Sequence, residues 1–562
     1  MRKLLIVPIL CLIAYAAYAL TVPFTITVGS GDFAFTPLHL YFIDNALGSD
    51  GNDGTAPVSG GGHGPWLTPN HSVVCGDVIL VKAGSNSGGW TGGQWGTVSG
   101  CPSTSAGIDG NGGIQFAVVL CAGATLGTCN FNGGGNEAFR IDKSHWAVEG
   151  FNATQNTNAQ GSCFSAENDA NPVQKYVAFI NDIAAVCDLA GFSSSGDGCV
   201  GCGGFDLIAA VGVVSFDGAN SIQSLCGSGI SFIPGNPDNS VTGTHIYVSQ
   251  YFGSSNSNRL IGGSECTASG LTNNPHSDGE GLIFDTYGAG STTPGNWNVP
   301  AVVENAVIWN SGNDCIQAFP QGNGTTNDQG QYIVLHITCY ANEQDARAAC
   351  AGELHWNGIY PTGTGNYKTN NSIFFMTVTS CGGAGTFNIS GAAELDAESG
   401  HVTILDATRI DVSNNWIWQS HAPTSSTVGP PNTFVVDNTT HPQGSGCDNS
   451  GSPPCFNAVW HFGTNTYGDP GMTNPSALFT TSPDCSAYTN VQDCMQTGFG
   501  VYAKVTPTIA PTTMGYQPVS ACAPNTNYPT WLKGIVYLRA SGYTAGATIT
   551  EKAGLATKPC NS

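Results

Sequence analysis

From Trp146 onward the chain repeats itself. Short apolar runs close on Asn, Asp or Gly and then begin again: HWAVEGF at 145, KYVAFIND at 175, FDLIAAVGVVSFDG at 205, THIYVSQYFGSSN at 244, AVVENAVIWNSGND at 301, QYIVLHITCYANE at 331, NYKTNNSIFF at 366 and HVTILDATRIDVSNNWIW at 401. Their first aromatic or apolar residues are Trp146, Tyr176, Leu207, Ile246, Ala301, Tyr332, Tyr367 and Val402, with gaps of 30, 31, 39, 55, 31, 35 and 35. A period near 30 with occasional insertions marks a repeat architecture. Each unit holds two or three short strands and almost no helical pattern. Stacked coils of this kind form a parallel β-solenoid, in which every rung hydrogen-bonds to the next and buries its inward residues. The runs are rich in Val, Ile and Phe, as parallel strands require. Asn305, Asn310, Asn371 and Asn414 close strands, and Asn suits the left-handed geometry that bends one face into the next. The alternative is a β-sandwich, whose strands come at a shorter, even spacing of about 8–12 residues.

Composition agrees with short strands and turns. The chain has 562 residues, 76 of them Gly, and only 9% are charged. Gly, Asn, Ser and Thr rank low in helix propensity, so long helices cannot be written in this alphabet. Residues 1–19 read as a signal peptide: Arg2 and Lys3, an apolar run, then Ala17-Tyr18-Ala19 as the cleavage signal. Residues 20–138 are expected to form an N-terminal cap and first coils, and 139–420 the solenoid. Residues 421–562 form a loop-rich C-terminal region that holds final coils or caps the open strand edge. Of 21 cysteines, Cys11 leaves with the signal, and the remaining 20 point to disulfides in an exported, extracellular or periplasmic protein. Cys199 and Cys202 make a lone CxxC with no second pair, which does not complete a zinc site.

Without Arg2 and Lys3 the chain carries 13 basic and 38 acidic residues, a net of −25. Such a surface repels polyanions, which argues against nucleic acid as a partner. An acidic glycan would be repelled as well, unless a cation bridged it. No segment after the signal is long and apolar enough to cross a bilayer. Asn70, Asn152, Asn323, Asn370, Asn388 and Asn438 open N-x-Ser/Thr sequons, as glycosylation would require.

Three segments carry a resemblance. YFIDNALGSDGNDGTAP at 41 resembles the opening of secreted right-handed parallel β-helix proteins of the pectate lyase-like superfamily. SDGEGLIFD, followed by VVENAVIWNSGNDCIQAF, resembles their central rungs, and YGDPGMTNPSA resembles the segment after the last rung. The resemblance spans 40–85 and 140–480 loosely. It implies a right-handed β-helix with a groove along one sheet that binds an extended polysaccharide. Members include lyases, hydrolases, epimerases and proteins without known chemistry, so fold alone does not assign a reaction. The rival function is a non-catalytic extracellular surface or adhesion scaffold.

Within that resemblance, HSDGEGLIFDTYG gathers Asp278, Glu280 and Asp285 in a charge-poor chain. Asp278 and Glu280, if extended, share one face about 6.5–7 Å apart. That spacing suits the acid–base pair of an inverting glycosidase, roughly 6.5–9.5 Å apart. It equally suits calcium, which takes hard oxygen ligands from Asp278, Glu280 and Asp285. Lyases of the superfamily use a cation in that way to bridge a uronate, with Lys or Arg as base; Lys175 opens a strand and is the candidate. The polygalacturonase template matches in part: Asp278 for its first Asp, Asp314 in GNDCIQAF for the second of its pair, with Asn313 replacing the first. His336 in VLHITCY stands where its His would, without the flanking glycines, and no Arg-x-Lys follows. Glu353 and His355 alternate with Leu354, and with Trp356 they form a candidate sugar-binding set. The plain alternatives are a solvated turn for the acids, a surface lysine for Lys175 and packing for Trp356. Gly279 and Gly281 are expected to serve the backbone of a turn between rungs.

Overall fold

The computed structural model describes residues 37–102, 114–155, 162–167, 174–187, 190–195, 205–216, 228–232, 244–254, 280–285, 300–312, 314–319, 331–342, 353–356, 366–376, 393–396, 409–419, 434–437, 459–462, 465–467, 469–472, 484–508, 513–518, 529–532 and 538–551. Among them, three long parallel sheets of twelve, eleven and nine strands surround one core. The chain visits the sheets in turn and climbs one rung per circuit. It is a right-handed parallel β-helix, the sense that crossovers between parallel strands take. The sandwich alternative is excluded, because successive rungs pair in parallel throughout. Residues 1–19, read as a signal peptide, and the Cys199–Cys202 pair lie outside the described residues, and no described helix is long and apolar enough to cross a membrane.

The register follows the sequence period closely. In the twelve-stranded sheet Trp146, Val177, Ile208, Ile246, Ala301, Tyr332, Tyr367 and Ile410 stand one above another. Tyr176 and Leu207 precede the aligned position by one residue. Both are left-handed (φ 60° and 57°), as is His145 (φ 69°), so the strand restarts after them. Ile410, rather than Val402, fills the last place; Val402 lies outside the described residues.

The corner from the twelve- to the eleven-stranded sheet is made by one left-handed residue per rung. Gly150, Asn181, Gly212, Gln250, Asn305, His336, Asn371 and Asn414 occupy it rung by rung, with φ between 50° and 87°. A left-handed L-residue costs roughly 1–2 kcal/mol, least for Gly and Asn, which explains why those types recur there. In the nine-stranded sheet Phe139, Phe164 and Phe192 stack inside the coil at 4.9 Å per step. That step is the separation of neighbouring strands, about 4.8 Å.

The C-terminal region runs back along the sides of the solenoid. Residues 484–516 lay Cys485, Val491, Cys494, Met495, Val501, Val505 and Tyr516 on the outer face of the eleven-stranded sheet, against Ile183, Val214, Phe252, Val307 and Trp309. Residues 529–551 lay Trp531, Leu532, Leu538, Ala540 and Ile549 on the outer face of the twelve-stranded sheet, against Val118, Ala147, Tyr176, Ala178 and Leu207. The corner residues tether this return: Val491 N–H donates to Asn181 Oδ1 and Gln517 N–H to Asn305 Oδ1, each at 2.7 Å. Trp531 Nε1 donates to the Thr244 carbonyl at 2.6 Å. The last coils, Phe434–Asp437, Val459–Phe462 and Thr466–Tyr467, belong to the solenoid itself. Disulfides join Cys75 to Cys101, Cys121 to Cys129, Cys163 to Cys187, Cys315 to Cys339 and Cys485 to Cys494.

Candidate functional face on the nine-stranded sheet

The nine-stranded sheet is the one whose outer face no described segment covers with an apolar cluster. Its strands are Phe139–Ile141, Phe164–Glu167, Phe192–Ser195, Ile230–Phe232, Leu282–Asp285, Ile316–Phe319, Leu354–Trp356, Ala393–Asp396 and Phe434–Asp437. Side chains alternate across a strand. Phe164, Phe192, Ile230, Leu282, Ile316 and Leu354 form one inward column, and all are buried. The next column is the outward one: Arg140, Ser165, Ser193, Ser231, Ile283 and Gln317, continued in register by His355 and Glu394. Ser165, Ser193 and Ile283 are buried there, while Arg140, Ser231 and Gln317 keep partial exposure. Ser193 Oγ donates to Ser165 Oγ at 3.2 Å, Ser165 Oγ donates to Glu167 at 2.7 Å, and Arg140 Nε pairs with Glu167 at 2.9 Å. The result is a polar ladder with one member per rung, interrupted at Ile283.

The candidate acids lie where the chain enters this sheet. Gly281 N–H donates to the Asp314 carbonyl at 2.9 Å, which stacks Glu280 and Asp314 on consecutive rungs. Both side chains are 1% exposed, so neither meets solvent. Glu280 accepts a hydrogen bond from Ser228 Oγ at 2.8 Å. Glu353 is fully buried one rung on; Asn342 donates its backbone N–H at 3.0 Å and its Nδ2 at 2.6 Å to the two carboxyl oxygens. Asn342 is itself fixed by the Ser311 N–H and the Ile308 carbonyl. Burial pushes Glu353 up to about 8, the negative charge of Asp314 adding to the rise and the Asn342 hydrogen bonds opposing it. Glu353 is therefore a neutral acid at pH 7, packed beside the Cys315–Cys339 disulfide.

Gly281 owes its place to space rather than to a turn. A Cβ there would lie 2.0 Å from Ile308 Cγ2 and 2.8 Å from the Cys315 carbonyl. Asp278 and Gly279 lie outside the described residues, and of Asp285 only the strand position is described, aligned with Phe319. His355 aligns with Gln317 and Glu394. Trp356 follows Phe284 and Ala318 in a column whose Phe284 is buried.

Two candidates stand apart from these acids. Lys175 begins a strand of the twelve-stranded sheet, aligned with Asp206. His336 occupies the left-handed corner, where Asn371 Nδ2 donates to its Nε2 at 3.3 Å and burial lowers its pKa. Sequence reasoning missed the buried pair His245 Nδ1–Asp206 Oδ1, 2.5 Å apart where two mid-sheet strands of the twelve-stranded sheet begin. It also missed the Tyr247 hydroxyl that donates to Glu304 at 2.5 Å and makes burial of that acid tolerable. No local signal announces partners 39 and 57 residues apart.

Of the calcium candidates, Asp278 lies outside the described residues, Asp285 is described only by its strand position, and Glu280 is buried. Calcium takes six to eight oxygens. Among the described residues, the groups of three that approach closely enough for one ion are Cys75, Cys101 and His145, and Cys315, Cys339 and Glu353. In both, the two sulphurs are joined as a disulfide. A disulfide sulphur is no oxygen donor, so neither of these two groups is a calcium site.

No family model and no curated protein matches the chain. Among solved structures, a pectate lyase (Pel9A) is similar at 11% identity and a TM-score of 0.33, with 81% of this chain and 87% of that chain covered.

Proposed function

We propose that this is an extracellular polysaccharide-binding β-helix, with an extended glycan laid along the outer face of the nine-stranded sheet. The observation that carries the reading is the contrast among faces. Two sheets have apolar outer faces filled by the returning C-terminal region, whereas the third presents hydroxyl, amide and charged positions. Rungs recur about every 4.8 Å. A linear polymer aligned with the axis thus meets the same kind of group at each step, as a repeating ligand requires. The partly exposed members, Arg140, Ser231 and Gln317, are the proposed contacts among the described residues, with His355 next in register on the following strand.

The catalytic form of the reading is β-elimination or hydrolysis at the entry to this sheet, where Asp278, Glu280, Asp285 and Asp314 cluster in sequence. Burial of Glu280 and Asp314 gives both a structural role in the described arrangement, which leaves Asp278 and Asp285 to meet substrate. The test is incubation of the purified chain with pectic and other glycans, with and without calcium, followed by ultraviolet absorbance and reducing-end assays. Growth of absorbance identifies a lyase, and reducing ends alone a hydrolase. Asp278→Ala is expected to abolish either. Binding without turnover supports the scaffold form, and absence of binding to every glycan refutes the proposal.

A further inference from the structure

We propose that Asn70 carries an N-linked glycan, and that the sequons at Asn152 and Asn370 stay unmodified in the folded chain. The assignment is independent of the proposed binding face. All three sites offer the same local chemistry, Asn-x-Ser/Thr with a residue other than Pro between. They differ in where the fold puts them. Asn70 is exposed, in the connection between the strands Leu40–Ile43 and Val78–Val81. Its neighbours are pinned. Thr68 donates its backbone N–H and its Oγ1 to Asp50, each at 2.9 Å. The Pro69 carbonyl accepts from His71 N–H at 2.7 Å and from Gly96 N–H at 3.0 Å. The His71 ring stacks on Trp66 with centroids 4.1 Å apart. Among the described residues, neither the Asn70 side chain nor the Ser72 hydroxyl makes a hydrogen bond, and Ser72 is exposed as well. A fixed turn thus holds a free amide and a free hydroxyl out to solvent.

The other two sites lie in strands. Asn152 stands between Asn130 and Ile183 on neighbouring rungs, each about 4.8 Å away. Its Nδ2 donates to Asn130 Oδ1 at 3.1 Å, and Ile183 is buried under the returning C-terminal region. A sugar on that nitrogen would replace the bond and press on both rungs. Asn370 stands between Leu335 and Ser413. The hydroxyl of its sequon is closed off: Ser372 is fully buried, and its Oγ donates to the Asn370 carbonyl at 3.1 Å and accepts from Ile337 N–H at 3.3 Å. An attached glycan is bulky and belongs on the surface. A chain modified at Asn152 or Asn370 before folding could not close these rungs, whereas Asn70 bears the group without displacing a neighbour. The sequons at Asn323, Asn388 and Asn438 lie outside the described residues.

The donor is a lipid-diphosphate-linked oligosaccharide. Asn70 Nδ2 bonds to the first sugar carbon, the bond from that carbon to the diphosphate oxygen breaks, the lipid diphosphate leaves, and the amide nitrogen gives up one proton. The test is site mapping of the full chain secreted by a eukaryotic cell. Glycans are released enzymatically in heavy-oxygen water, which marks each formerly modified Asn as labelled Asp, and the peptides are read by mass spectrometry. The expected result is label at Asn70 in most secreted molecules and none at Asn152 or Asn370. Ser72→Ala is expected to abolish the label at Asn70 and Ser72→Thr to keep it, with thermal unfolding unchanged in both. An unlabelled Asn70 in the secreted chain overturns the assignment. Label at Asn152 or Asn370 in molecules that unfold cooperatively overturns the selection by the fold.

Discussion

The twelve- and eleven-stranded sheets and the nine-stranded sheet are built by the same winding yet meet different neighbours. The first two meet at a corner of one left-handed residue, and their outer faces are apolar and covered by the described segments 484–508, 513–518, 529–532 and 538–551. The third has an outward column that is mostly Ser, Gln and charge. A solenoid must bury one side of each sheet. Here the other side is also buried on two sheets, which makes them scaffold.

Removing the cover should expose the contrast most severely. A chain ending after residue 483 leaves Ile183, Val214, Phe252, Trp309, Ala147 and Leu207 facing water. It is expected to aggregate or fail to fold, as measured by soluble yield and light scattering. A soluble, cooperatively melting fragment would break the comparison. Next in size is Trp531→Ala, which empties a buried site and removes the bond to the Thr244 carbonyl. It should cost about 3–5 kcal/mol in denaturant unfolding. Gln317→Ala, on the opposite kind of face, should change stability by less than about 0.5 kcal/mol.

Loss of the Cys315–Cys339 bridge through paired alanines closes no 24-residue loop and should cost about 2–4 kcal/mol. Asn305→Ala sharpens the account of the corner. It forces Ala to φ 56° and strips the acceptor from Gln517 N–H, at a cost of about 1–2 kcal/mol. Asn305→Gly should recover the backbone part only.

A further effect depends on pH. The folded-state value of Glu353 is about 8 against an ordinary 4.5. The unfolded chain releases this proton first, so folding stability falls as pH rises from about 4.5 to 8 and then levels. Glu353→Gln keeps the shape and cannot ionise. It should be less stable than the parent by about 1 kcal/mol at pH 5, for one mismatched hydrogen bond to Asn342, and should gain on the parent steadily up to pH 8. Parallel pH profiles for the two proteins would contradict the neutral acid.

The winding was legible because one inward residue per rung must be apolar, so a spatial rule appears as a linear period. Asn305, Asn371 and Asn414 betrayed the corner because few side chains tolerate its backbone. Tyr176 and Leu207 misled by one residue because a left-handed residue resets the strand. The acids were harder. Glu280, Asp314 and Glu353 sit among Gly, Asn and Ser in a pattern that reads as solvated turn. Their burial depends on Ser228, Asn342 and Ser311, which arrive from other rungs or the preceding strand. The return of the C-terminal region was invisible for the same reason: Val491 meets Asn181 across 310 residues, and nothing local encodes that meeting.

Hydrogen–deuterium exchange of the full chain, with and without a glycan that it binds, tests the central claim directly. The account predicts added protection in the strands of the nine-stranded sheet, strongest around Ile230–Phe232 and Ile316–Phe319, and no change in residues 484–551. Protection that appears instead along the C-terminal region or the two covered sheets would contradict it.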